Sequence, residues 1–270
     1  MCLSRNPLLR CCMDNSFGMI LFPGMRSLAY LAAFERAAVH PVRVVMLSHS
    51  ILHFQDICAE SMRYHYDTSY FDVTETAEKY CKRHGIPLDT VGANNINDDE
   101  LLQYLDGFDL ETWIFTGGGI LRDKILSSGK RFIHVHPGRL PAYRGSTTFY
   151  YSLLEDGTLY GTAFFMGAEL DDGPILEEAA FRVNIYLNQD QSHFVDAILD
   201  PYVRSMVLER LLRRWHCKLS PKPQKNISAP QCKPYFVMHP FLRLVAIKRL
   251  NDSYSKKLPE GIFVVEDPGE

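Results

Sequence analysis

The stretch His134-Val135-His136-Pro137-Gly138-Arg139-Leu140-Pro141-Ala142-Tyr143-Arg144-Gly145 decides how the rest of the chain is read. Residues 131–136 read as a strand, closed abruptly by Pro137-Gly138. Side chains alternate along a strand, so His134 and His136 share one face and Val135 takes the other. Two imidazoles at the carboxyl end of a strand sit where open α/β folds gather ligands, in the crevice beyond the strand ends. The loop that follows carries Arg139 and Arg144, which either meet a phosphate or solvate the loop. A later loop carries Glu169, Asp171, Asp172 and Gly173. If it crosses near the first, an aspartate can accept a hydrogen bond from one imidazole and stabilise its protonated form, making that histidine a better proton acceptor. Asp172 and Glu169 equally suit a solvated turn.

Around this stretch the pattern alternates strand and helix. Residues 17–22, FGMILF, read as a buried strand broken by Pro23-Gly24; 28–38 read as a helix and 42–47 as a second interior strand. Strand, turn, helix and strand in that order argue for a parallel α/β unit. Residues 48–70 suit an irregular crossover or an interrupted helix. Helices are expected over 74–84, 98–105, 121–126 and 147–154, and strands over 86–91, 110–115, 160–166 and 175–183. A packing helix is expected over 191–215, divided or kinked at Pro201, then a linker over 220–234 and apolar accessory material over 235–250. The reading is one main domain over 1–190 and a small accessory region over 191–270.

A net charge of -3 without a long basic run argues against nonspecific nucleic-acid binding, so no nucleic-acid partner is expected. The seven cysteines (Cys2, Cys11, Cys12, Cys58, Cys81, Cys217 and Cys232) show no CxxC spacing, which fits reduced thiols in a cytoplasmic protein. Residues 1–14 lack the apolar core of a signal peptide, and no stretch is long and uncharged enough to span a membrane. Gly117-Gly118-Gly119 lacks the Lys-Ser/Thr ending of a phosphate-binding P-loop and reads as a tight turn or a close backbone approach. Pro23-Gly24-Met25-Arg26-Ser27 is not a dinucleotide fingerprint, although Arg26 and the helix amides can meet an anion there.

His136-Pro137-Gly138-Arg139-Leu140-Pro141-Ala142-Tyr143-Arg144-Gly145 resembles the HPSxLPxYRG signature of the folate-dependent formyltransferases, and Leu170-Asp171-Asp172-Gly173-Pro174-Ile175-Leu176 resembles their LDxGxIL motif. The resemblance covers roughly the first 190 residues in motif order. It implies an α/β fold with an open, mostly parallel Rossmann-like sheet and a small C-terminal accessory element, similar in architecture to the sugar-nucleotide N-formyltransferases. It also implies transfer of a formyl group from 10-formyltetrahydrofolate to a primary amine. By match to the motifs, His136 corresponds to the catalytic histidine and Asp171 to the essential aspartate. Gly117, Gly118, Gly119, Ile120 and Leu121, with Asp172, fall where relatives line the folate pocket. Arg26, Arg139 and Arg144 are the candidate substrate contacts, and no metal is assigned.

One departure stands out. Relatives carry NxHP, whose asparagine helps bind the developing oxyanion, whereas this chain has HVHP. A His134 N–H can donate the same kind of bond. By analogy with that family, the intermediate architecture fits a nucleotide-linked amino sugar as the acceptor, in a protein that can form a homodimer. The competing readings are hydrolysis of the formyl donor, transfer of another acyl group, a metal site built from His134, His136 and an aspartate, and a binding module that has lost its chemistry.

Overall fold

Phe17–Leu21 (β1) is buried at every position, which suits an interior strand covered on both faces. The computed structural model, which describes residues 16–48, 53–188, 191, 193–215, 220–224 and 233–265, sets β1 third in an eight-stranded sheet of order β3-β2-β1-β4-β5-β6-β7-β8. The other strands are Arg43–Leu47 (β2), Leu88–Val91 (β3), Thr112–Phe115 (β4), Arg131–His136 (β5), Leu159–Phe165 (β6), Ile175–Asn184 (β7) and Gly261–Val265 (β8). β3, β2, β1, β4 and β5 run parallel; β6, β7 and β8 pair antiparallel. The fold is thus α/β with a mixed, mostly parallel sheet. The 1–14 segment, Cys2, Cys11, Cys12, Cys217 and Cys232, part of the 48–70 crossover and most of the 220–234 linker lie outside the described residues.

From β1 the chain moves to β2 and β3 on one side and returns to β4 and β5 on the other. That reversal puts a switch point between β1 and β4, where the first turns of the following segments diverge and leave a crevice at the strand carboxyl ends. Met25–Ala37 (α1) starts directly after Gly24 rather than at Leu28 as the apolar pattern suggests. The polar Arg26 and Ser27 hide the first turn from a hydrophobicity reading, because both are occupied at the end of β4. The 48–70 crossover is an interrupted helix: Phe54–Arg63 (α2) and Tyr66–Ser69 (α3) are separated where His65 takes a left-handed backbone, φ 58°. Ala77–His84 (α4), Asp99–Asp106 (α5), Asp123–Leu126 (α6) and Thr148–Glu155 (α7) follow in the expected order.

The 191–215 helix divides as its proline requires. A π-helical turn, Phe194–Leu199, passes without a break into Asp200–Arg213 (α8), with Pro201 at the junction, where the missing amide interrupts the hydrogen-bond ladder. Val203, Val207, Leu208, Leu211 and Leu212 of α8 are all buried and join the core formed with α1 and the sheet. After Pro240–Ser253 (α9), β8 adds an eighth strand to the edge of β7. This strand is absent from the sequence expectation; it is an edge strand with no buried residue, Phe263 and Val264 being exposed, so it lacks the buried apolar signal of the interior strands.

Candidate active site

Alternation along β5 divides its side chains as the sequence dictates. Ile133 and Val135 enter the core shared with α1 and α8, while Phe132 enters the smaller core on the opposite face, with Trp113, Phe115 and Leu121. His134 and His136 share the Phe132 face by the same alternation. Both are buried, at 6% and 2% exposure, and His134 meets Phe164 of β6 edge-on at 6.0 Å.

The loop after β5 folds back under His136. The His136 Nε2–H donates to the Tyr143 carbonyl oxygen at 2.6 Å, with the Thr148 hydroxyl 3.2 Å from the same nitrogen. A carbonyl can only accept, so Nε2 carries a proton, and Nδ1 is the nitrogen turned toward the second motif loop. Nδ1 lies 3.4 Å from the Asp171 Oδ1. The other Asp171 oxygen accepts the backbone N–H of Gly145 at 2.7 Å. One carboxylate therefore joins both motif loops.

Asp171 reaches this position through a costly backbone. Its φ is +50°, in the left-handed region, at about 1–3 kcal/mol for a non-glycine residue. Its neighbour Gly173 has φ +126°, and a Cβ there would lie 1.9 Å from the Phe165 carbonyl oxygen, so no other residue fits. The Gln224 amide clamps the loop by donating to the carbonyl oxygens of Asp171 and Gly173, both at 2.9 Å. Arg144 ties the two loops together, donating to the Gln224 Oε1 at 2.8 Å and to the Asp172 Oδ1 at 3.4 Å. Burial alone would raise the Asp171 pKa, but the contact with His136 and the Gly145 N–H outweigh it and hold the carboxyl below its ordinary value. It is ionised at neutral pH.

His134 behaves differently. Burial, then the charges of Arg204 and Arg26, push its pKa well below the ordinary imidazole value, so it is neutral. Its Nδ1 is buried and has no hydrogen-bond partner among the described residues. Arg204, on α8, is buried and bidentate to Asp200 at 2.6 and 2.9 Å, and its remaining nitrogen donates to the Val135 carbonyl oxygen between the two histidines at 3.0 Å. α8 thus holds β5 by its backbone.

The other anticipated residues divide into engaged and open groups. Arg26 donates to the carbonyl oxygens of Thr116 and Gly117 at 2.9 and 3.1 Å, and burial lowers its pKa to about 10. Arg139 pairs with Glu178 at 3.1 Å over the Tyr160 ring. Gly117 and Leu121 are buried, whereas Gly118, Gly119 and Ile120 are exposed at the end of β4. A cavity of about 680 Å³ opens at the carboxyl ends of β1 and β2, lined by Pro23, Gly24, Ser27, Met46, Asp56 and Glu75 among others. Tyr143, Thr148, Arg204 and Gln224 were not singled out from sequence. Tyr143 contributes a backbone oxygen, which no side-chain pattern reveals, and Gln224 acts from the linker, 51 positions beyond Gly173. His134, His136 and Asp171 do not bring three ligand atoms together as a metal site would need. Among the described residues the one such trio is Glu35, His40 and His84, elsewhere in the molecule.

No family model matches the chain. In sequence it is similar to the methionyl-tRNA formyltransferase of Helicobacter acinonychis (strain Sheeba), 37% identical over 102 residues, or 37% of this chain and 32% of that protein. It is also similar to the methionyl-tRNA formyltransferase of Borreliella burgdorferi (strain ZS7), 32% identical over 121 residues, or 44% of this chain and 38% of the relative. The match spans about a third of the length of these relatives. In three dimensions the chain is similar to a sugar N-formyltransferase from a Shewanella species, with a TM-score of 0.50, 12% identity and 87% of each chain covered. The fold is a formyltransferase-like Rossmann fold. A phosphoribosylglycinamide formyltransferase from Anaplasma phagocytophilum aligns with a TM-score of 0.49 and 16% identity, over 74% of this chain and 86% of that one. Within the formyltransferase fold, His136 and Asp171 stand at the carboxyl edge of the sheet. Among the described residues, no helix is long and apolar enough to cross a membrane.

Proposed function

We propose that the protein transfers a formyl group from 10-formyltetrahydrofolate to a primary amine. The observation that carries this reading is the division of labour on one imidazole: Nε2 is tied to the Tyr143 carbonyl, and Nδ1 faces the ionised Asp171 at 3.4 Å. A base needs a nitrogen that can take a proton and a neighbour that stabilises the cation so formed, and His136 Nδ1 beside Asp171 is such a pair. His136 takes the proton from the attacking amine at Nδ1, and Asp171 stabilises the resulting imidazolium. His134, neutral and with an unpartnered buried nitrogen, donates its N–H to the oxygen that gains charge. The pair returns the proton to the departing nitrogen.

The resemblance assigns the folate to residues 117–121, of which Gly118, Gly119 and Ile120 are exposed. No atom lies within 4 Å of where a Cβ would stand on Gly118 or Gly119, and Ile120 beside them is 49% exposed, leaving an open, partly apolar surface for a flat ring. The bound donor would supply an activated formyl group there.

An amino-sugar nucleotide acceptor would need cations for its phosphates. Arg26 and Arg144 are engaged by protein oxygens, and Arg139 by Glu178. The proposal therefore stops at a primary amine. The test is incubation of the protein with 10-formyltetrahydrofolate and a panel of an amino-sugar nucleotide, a methionyl-tRNA and simple amines, with mass spectrometry of the products. A formylated amine with stoichiometric tetrahydrofolate supports the reading. Formate released at the same rate with and without amine would make the protein a hydrolase and overturn it.

A further inference from the structure

Glu35, His40 and His84 meet near the far end of α1 from the cavity, roughly 15–20 Å away at 1.5 Å per helical residue. Glu35 stands in the last turn of α1, His40 on the connection to β2, and His84 closes α4. One ligand atom from each lies within 4.8 Å of the other two. The His40 and His84 rings stack with centroids 4.0 Å apart, and the His84 Nε2 lies 2.7 Å from the Glu35 Oε1. The Tyr80 hydroxyl, on a fully buried side chain, holds the His40 Nδ1 at 2.5 Å, which fixes the ring and leaves Nε2 free.

Three features favour a cation here. Two imidazoles and a carboxylate are a donor set suited to zinc, with a fourth position left for water. α1 and α4 both end at this point, and a helix carboxyl end carries partial negative charge. The Tyr80 contact on the non-ligating nitrogen of His40 is the outer support that orients metal-binding histidines. Burial, and then the nearby His84, lower the His40 pKa, keeping it in the neutral form that binds metal. Arg83 opposes a cation because it donates to Glu35, but it also pairs with Glu75 at 2.7 Å and keeps that partner if Glu35 turns to a metal.

We propose that Glu35, His40 and His84 form a zinc site, with the two Nε2 atoms, one Glu35 oxygen and a water as ligands. Binding replaces the contact between the His84 Nε2 and Glu35, and any proton on that nitrogen passes to solvent. The ion would fasten together the ends of α1 and α4, the two helices whose opposite ends line the 680 Å³ cavity through Gly24, Ser27, Thr76 and Glu78.

The test is calorimetric titration of the metal-free, full-length protein with Zn²⁺ at neutral pH, alongside His40→Gln, His84→Asn and Glu35→Gln. One equivalent is expected to bind to the wild type and to raise its melting temperature, and each substitution should weaken that equivalent roughly tenfold or more. Cobalt(II) loaded in place of zinc should give four-coordinate visible bands that the His40→Gln/His84→Asn double variant loses. The double variant without metal should melt like the metal-free wild type, which separates ligand loss from misfolding. Equal zinc affinity in the wild type and the double variant, or no zinc binding by the wild type, would overturn the proposal. Loss of the equivalent in His134→Asn instead would overturn it by moving the metal to the sheet edge.

Discussion

Acid should destabilise this protein through His134, and replacing that one side chain should remove the effect. His134 is 6% exposed, and its pKa is depressed well below 6.5 by burial and then by Arg204 and Arg26. The unfolded chain takes the proton near 6.5 and the folded chain does not, so the unfolded state binds more protons and stability falls as pH drops below that value. With the folded imidazole neutral throughout, the loss is RT ln(1 + 10^(6.5 − pH)), about 1.4 kcal/mol at about pH 5.5 and about 2 kcal/mol at about pH 5.0. For 270 residues, unfolding with about 2.1 cal/mol/K of entropy per residue, that is a fall of about 2–4 °C in melting temperature. Urea unfolding of the wild type and His134→Asn at neutral pH and near pH 5.5 measures it. The other histidines contribute equally to both proteins and cancel in the comparison. Relative to the wild type, the variant should gain about 1.3 kcal/mol between about pH 7 and about pH 5.5. Parallel pH dependences would mean that His134 is protonated in the folded protein, and its role as a neutral N–H donor would fail with that result.

Gly173→Ala should lose about 2–4 kcal/mol of stability or fail to fold, because its Cβ would enter the Phe165 carbonyl at φ +126°; chemical denaturation reads the loss. Arg204→Met should cost about 3–5 kcal/mol, since it leaves Asp200 without its buried partner and the Val135 carbonyl without a donor; Asp200→Asn in the same background should recover part of that in a double-mutant cycle. Gln224→Ala removes two donors from the Asp171 loop and should lower formyl transfer roughly tenfold or more while costing only about 1–3 kcal/mol of stability, measured by turnover alongside urea melts.

The β5 segment was legible because period-two alternation and a Pro-Gly stop leave little freedom: they put both histidines on one face and at a strand end. The five-stranded parallel half followed from buried apolar runs separated by helical ones. The approach of Asp171 to His136 was legible only as a possibility that depended on one loop crossing another, and the distance of 3.4 Å comes from folding. Three kinds of information were hidden. Backbone oxygens, such as that of Tyr143, carry no sequence signal. Long-range partners such as Gln224 and Arg204 look like ordinary linker and helix residues until the chain closes on itself. Arg26 reads as a contact for an anion at the start of α1, yet the switch point between β1 and β4 brings two carbonyl oxygens to it.

The central claim is that His136 and Asp171 act as one proton-handling unit during formyl transfer. Single-turnover transfer measured for the wild type, His136→Ala, Asp171→Asn and the double variant tests it most directly. Each single change should slow transfer about 100-fold or more, and the double variant should be no slower than the slower single variant, because removing either member disables the unit. Independent, multiplicative losses in the double variant, or wild-type turnover in His136→Ala, would contradict it.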